Sequence, residues 1–144
     1  MPTRSSTKAA LIDRLDHLVL TVADIPTTCN FYKRALDFEA VEKDGRWSLH
    51  FGNQKINLHQ AGREFTPKAK NPTPGSGDLC FIARAPLAKV IENLYSRSIQ
   101  IEDGPIARTG ASGKMTSVYF RDPDGNLIEV SEYVENRTSH QLEV

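Results

Sequence analysis

The chain has 144 residues, 39% hydrophobic and 25% charged, an ordinary globular composition. That excludes a disordered polymer and suffices for one domain or two small modules sharing a core. Eighteen basic and eighteen acidic side chains give zero formal net charge, which argues against a nucleic-acid partner, since that needs a basic face.

Residues 1–11 read as a polar arm. Leu15–Val22 is rich in β-branched residues and predicts a strand. Asp24 then stands where a helix N-cap is wanted, with Pro26 in the first turn. Ile25, Cys29, Tyr32 and Leu36 fall on one helical face. Phe38–Val41, Trp47–Phe51 and Lys55–Gln60 follow as short strands, with Asp44-Gly45 and Gly52-Asn53 as turns. A polar stretch over 61–77 carries Pro67, Pro72, Pro74, Gly75 and Gly77 and reads as a linker, 64–76 at its centre.

The pattern then restarts. Asp78–Ala83 is a strand, and Pro86 opens a helix with the stripe Leu87, Val90, Ile91, Leu94, Tyr95. Ile99–Ile101, Thr116–Arg121 and Asn126–Tyr133 read as strands, Asp122-Pro123-Asp124-Gly125 as a turn, Arg108–Met115 as a loop, and 135–144 as a tail. The order β-α-β-β-β thus occurs twice, over 12–63 and 77–134. The expected fold is α+β: two paired βαβββ modules forming a curved mixed sheet around a cleft. Either module alone would leave a sheet edge and a concave face open, and pairing them encloses a ligand-sized hollow.

Cys29 and Cys80 lie far apart in apolar stretches, so neither a disulfide framework nor a Cys-based zinc site is expected. No apolar run approaches the ~20 residues that span a bilayer. The first ten residues lack the apolar core of a signal peptide. No membrane partner and a cytoplasmic location are therefore expected.

The four histidines are His17, His50, His59 and His140. His140 falls in the tail and His50 decorates a strand. His17 in the first strand, His59 in the fourth and Glu129 in the last combine two imidazoles with a carboxylate on strands of one cleft. That donor set suits a facial divalent-metal site with open positions. The competing reading is structural: a strand histidine is often a satisfied packing side chain, and Glu129 could pair with a lysine or arginine across the sheet.

The stretch Leu15-Asp16-His17-Leu18-Val19-Leu20, Phe31-Tyr32 in the helix, and above all Tyr119-Phe120-Arg121-Asp122-Pro123-Asp124-Gly125-Asn126-Leu127-Ile128-Glu129 resemble the vicinal oxygen chelate superfamily, over residues 12–134. This is the fold of glyoxalases, fosfomycin-resistance proteins and extradiol dioxygenases. Within it, Phe51–His59, Phe65–Pro72 and Gly104–Ala111 resemble the glyoxalase domain-containing protein 5 subfamily.

The resemblance implies metal-facing positions on the first and last strand of each module, here His17, Asn57, Asp78 and Glu129. Two ligand sets compete: His17, Asp78 and Glu129 by module symmetry, or His17, His59 and Glu129 by ligand chemistry. Either implies one divalent ion, among Mn, Ni, Zn, Fe and Co, in an enzyme acting on a small vicinal-oxygen substrate by lyase, isomerase or thiol/epoxide-addition chemistry. Glu129 is the candidate for moving a proton. Asn57, Arg108, Lys114 and Tyr119 are the candidate substrate contacts, and the substrate would be a small molecule, anionic or thiol-conjugated. The alternatives are a metal-free binding protein of the bleomycin-resistance type or a ring-cleaving dioxygenase. The resemblance also implies a homodimer.

Overall fold

The computed structural model describes residues 10–135. Residues 1–9 of the arm and 136–144 of the tail, with His140, lie outside the described residues. The first module comprises β1 (His17–Val22), α1 (Ile25–Leu36), β2 (Glu39–Lys43), β3 (Arg46–Phe51) and β4 (Gln54–Gln60). The second comprises β5 (Asp78–Ile82), α2 (Leu87–Ser96), β6 (Asp103–Gly110), β7 (Gly113–Arg121) and β8 (Leu127–Tyr133). The α+β fold of two βαβββ modules is the one the repeat predicts.

Local chemistry sets the element ends. The Asp24 carboxylate accepts from the Thr27 N–H at 3.0 Å and caps α1, and Pro26 fits the first turn. At the other end Asp37 turns left-handed at φ 59°, and its N–H donates to Lys33 O. Asp44-Gly45 closes the β2–β3 hairpin with both residues at positive φ.

The sheets have equivalent topologies, β1-β4-β3-β2 and β5-β8-β7-β6. In each, the first strand runs parallel to the last and the other pairs are antiparallel. Alternation then assigns the faces. Leu20, Val22, Leu49, Ile56 and Leu58 of the first sheet are buried, as are Val118, Phe120, Ile128 and Val130 of the second. They share one apolar cluster with Phe31, Tyr32 and Ala35 of α1 and Leu94 of α2. Polar ties cross the same seam: Tyr32 OH donates to Asp122 Oδ2 at 2.7 Å, and Asn93 Nδ2 donates to Ala35 O at 2.9 Å. With the helix-side faces committed to the core, the opposite sheet faces remain for function.

Two segments differ from expectation. Ile99–Ile101 is not a strand; Ile99 is buried where the chain leaves α2. The second strand of this module is β6, hidden in the sequence by Gly104-Pro105. Gly104 has φ +98°, and a Cβ there would lie 2.3 Å from the Ser117 carbonyl oxygen, so the strand requires glycine at that point. Arg108–Met115 is likewise not a loop but the end of the β6–β7 hairpin, in which Gly110 pairs with Gly113.

Candidate functional site

On the first sheet, the face away from the core carries His17, Val19 and Thr21 of β1 and Lys55, Asn57 and His59 of β4. The register puts Lys55 opposite His17, Asn57 opposite Val19 and His59 opposite Thr21. His59 is therefore four residues along from His17, about 13 Å at ~3.3 Å per strand residue. One ion cannot bridge that gap within a chain.

His59 has a different neighbourhood. It is only 8% exposed, and its ring meets Phe65 edge-on at 5.6 Å. The Arg46 guanidinium covers the Phe65 ring at 4.0 Å. Burial lowers the His59 pKa below the ordinary 6.5, with Glu64 opposing and Arg46 and Lys68 assisting. The folded state therefore favours neutral imidazole. Its contribution to stability is full above pH 6.5 and falls as the unfolded chain takes up the proton on acidification. A drop in melting temperature on going below that pH, reduced in His59→Gln, is expected from thermal melts across a pH series.

His17 is exposed, with Nδ1 2.8 Å from Asp16 Oδ2, a contact that holds the Asp16 carboxyl below its ordinary value. His17 and Asp78 line one recess between β1 and β5, together with Phe51, Gln54 and Cys80. Glu129 lies opposite Cys80 on β8, two residues along from the pair Asp78–Leu127. Among the described residues, no three His, Cys, Asp or Glu side chains gather closely enough to hold one ion. The described residues of a single chain therefore do not fit a bound metal.

The second sheet's open face is organised in finer detail. Arg108 Nε donates to Tyr119 OH at 2.8 Å, and its guanidinium also lies 5.4 Å from the Tyr119 ring centroid. Tyr119 is opposite Glu129. Ser131 Oγ donates to Glu129 Oε2 at 3.2 Å, lies 2.6 Å from Ser117 Oγ and 3.3 Å from Cys80 Sγ. Both serines are fully buried, so their hydroxyls are fixed by one another. Desolvation pushes the Cys80 thiol above its ordinary value, which favours a neutral thiol over a nucleophilic thiolate at pH 7.

Lys114 does not join this face. It pairs with Thr109, while Arg108 pairs with Met115, so the two cations project from opposite faces of the hairpin. The serines and Cys80 were not legible as site residues. Their only signal is a polar or small side chain at an alternate position of an otherwise apolar strand.

A model of the Glyoxalase/Bleomycin resistance protein/Dioxygenase superfamily matches residues 14–130. The chain is 58% identical over 125 residues to virulence protein STM3117 of Salmonella typhimurium, covering 86% of this chain and 87% of that protein. The crystal structure of STM3117 superposes with a TM-score of 0.84 at 56% identity, over 87% of this chain and all of that one (100%). Glyoxalase domain-containing protein RDO1 of Mycosarcoma maydis is 52% identical over 120 residues, covering 83% of this chain and 68% of its own length. At greater distance, a lactoylglutathione lyase structure from Agrobacterium tumefaciens matches with a TM-score of 0.65 and 26% identity, covering 85% of this chain and 96% of that one. With the paired modules in place and the family model spanning most of the described residues, the chain belongs to the Glyoxalase/Bleomycin resistance protein/Dioxygenase superfamily.

Proposed function

We propose that this chain binds a small organic ligand, anionic or rich in oxygen, on the open face of β5–β8, without an ion held by one chain's own residues. This is the metal-free binding reading of the fold. One observation supports it above the others: the Arg108–Tyr119 hydrogen bond stands beside the half-buried Glu129, which is held by the buried Ser131–Ser117 pair. Such a network presents a cation, a hydroxyl and a carboxylate in fixed positions before any ligand arrives. Arg108 would pair with the ligand's anionic group and Tyr119 would donate to an oxygen. A thermal-shift screen of small carboxylates, phosphonates and thiol conjugates identifies the ligand. For that ligand, Arg108→Ala should weaken binding by about ten- to a hundredfold, the value of hydrogen bonds to a charged group. A ligand held equally by the original protein and by Arg108→Ala contradicts the reading.

A second reading is a divalent-metal-dependent lyase, isomerase or transferase acting as a homodimer. It is favoured by exposed apolar side chains: Leu15 is 62% exposed, Val19 45% and Ile82 53%, beside or on β1 and β5. Each of these strands is hydrogen-bonded on one side only. A second copy covering these edges would add ligands to His17, whose own chain offers only the Asp16 and Asp78 carboxylates in that recess. Dialysis against Mn, Ni, Zn, Fe or Co, with sedimentation of the product, tests it. About one ion per dimer site, lost in His17→Ala, supports the enzyme; no ion retained supports the binding protein.

Membership of the glyoxalase domain-containing protein 5 subfamily and a cytoplasmic location belong to the same proposal. They rest on the quoted stretches around Phe51–His59 and on the sparse cysteine usage. Among the described residues, no helix is long and apolar enough to cross a membrane.

A further inference from the structure

The modules also form a cleft that reaches the open face of β5 only at Cys80 and Ile82. It has a volume of about 950 Å³ and runs between the end of α1, the β3–β4 turn, β5 and α2. Sites for small molecules occupy roughly 300–1,000 Å³. None of His17, Arg108, Tyr119 or Glu129 lines it.

Its floor is aromatic. Phe38 and Phe51 stack at 4.5 Å with an 18° interplanar angle. Phe81 stands edge-on to both, at 5.3 and 5.2 Å. Phe51 and Phe81 are only partly buried, so the cluster keeps aromatic surface open to a ligand. Flat rings arranged in this way favour another flat ring.

Its walls are cationic. Lys33, Arg34, Arg84, Lys89 and Arg97 line it, against a single carboxylate, Asp37. Lys89 is engaged by Glu92 at 3.5 Å, and Arg34 by the Phe31 ring and the Arg97 carbonyl. Among the described residues, the side chains of Lys33, Arg84 and Arg97 have no acidic partner. In a chain of zero net charge, such an uncompensated group of cations beside an apolar floor creates a local field that an anion relieves.

We propose that this cleft is a second binding site, selective for a flat aromatic anion such as an aryl phosphate or aryl carboxylate. The ring lies on the phenylalanine floor and the anionic group is neutralised by Lys33, Arg84 and Arg97. A neutral arene leaves the cations unpaired, and inorganic phosphate leaves the floor uncovered, so each half of the ligand alone binds poorly. The proposal is independent of the open-face reading, because the two sites share none of the residues proposed to hold a ligand.

Calorimetric titration of the full chain with naphthyl phosphate tests it. Saturable one-site binding is expected, weaker at higher salt. Naphthol and inorganic phosphate should each bind at least about tenfold more weakly, and Arg84→Glu and Arg97→Glu should each lower the affinity by at least about tenfold. Both arginines are exposed, and unchanged circular dichroism and melting temperature verify that the variants fold; Lys33→Glu provides a third, separate position. No saturation at millimolar naphthyl phosphate overturns the proposal, as does equal affinity in the Arg84→Glu/Arg97→Glu double variant. Binding that is lost in Arg108→Ala but kept in the double variant places the anion on the open face and also overturns it.

Discussion

Asp122→Ala should lower the stability of this protein by about 3–5 kcal/mol, because it strands buried hydrogen-bond donors at about 1–3 kcal/mol each. Asp122 is only 5% exposed. Its Oδ1 accepts from the backbone N–H groups of Asp124 and Asn126 at 2.9 and 3.0 Å. Its Oδ2 accepts from Tyr32 OH at 2.7 Å and Asn126 Nδ2 at 2.8 Å. The substitution leaves all four donors without their acceptor. Burial, reinforced by the Asp122 charge, raises the Tyr32 phenol far above its ordinary value, so it stays a protonated donor at any working pH. Tyr32→Phe removes one bond from a carboxylate that keeps three, and should cost only about 1–2 kcal/mol. Urea unfolding midpoints at constant slope measure both. A loss below about 1 kcal/mol in Asp122→Ala would show that water replaces the four bonds. The effect extends to the site, because Asp122 heads the turn between β7 and β8, the strands that carry Tyr119 and Glu129.

That network shows how far the sequence could be read. Asp122-Pro123-Asp124-Gly125 is a turn signal on composition alone, and so is its position between two strands. The pairing of Asp122 with Tyr32, 90 residues away, follows only from the packing of the two modules. The repeat of β-α-β-β-β was legible because strand and helix periodicities are local. The β6 strand was not, because Gly104-Pro105 carries the signature of a break while the fold uses it at a strand start.

The site divides along the same line. The faces of His17, Asn57 and His59 follow from alternation. The distance between His17 and His59 depends on the parallel register of β1 with β4, which no local pattern fixes. The contact between Ser117 and Ser131 likewise needs the β7–β8 register. The 61–77 stretch reads as linker from its prolines and glycines, yet Phe65 within it covers His59. One aromatic residue in a polar run was the signal for that anchor.

Phe38→Ala should be the other severe substitution, with a loss of about 3–5 kcal/mol for a buried phenylalanine. Phe38 follows directly on the end of α1 and is 7% exposed. Its ring stacks on Tyr32 at 5.6 Å and Phe51 at 4.5 Å, within the first module. It also meets Phe81 of the second module edge-on at 5.3 Å. Removing it therefore creates a cavity in one module and cuts an aromatic contact between the two. A double-mutant cycle separates these effects. If the inter-module contact matters, Phe38→Ala and Phe81→Ala should couple by about 0.5–1.5 kcal/mol beyond their separate costs. Zero coupling would mean that the modules are held by their other contacts, among them Phe51–Phe81, Phe31–Phe120 and the Tyr32–Asp122 bond, with Phe38 serving its own module alone. The two substitutions also differ in what they leave behind. Phe38→Ala deepens the apolar floor of the cleft that Phe38 lines, whereas Asp122→Ala leaves polar groups that draw in water. A xenon- or benzene-dependent rise in melting temperature is therefore expected for Phe38→Ala and absent for Asp122→Ala, a contrast that stability loss alone would not reveal.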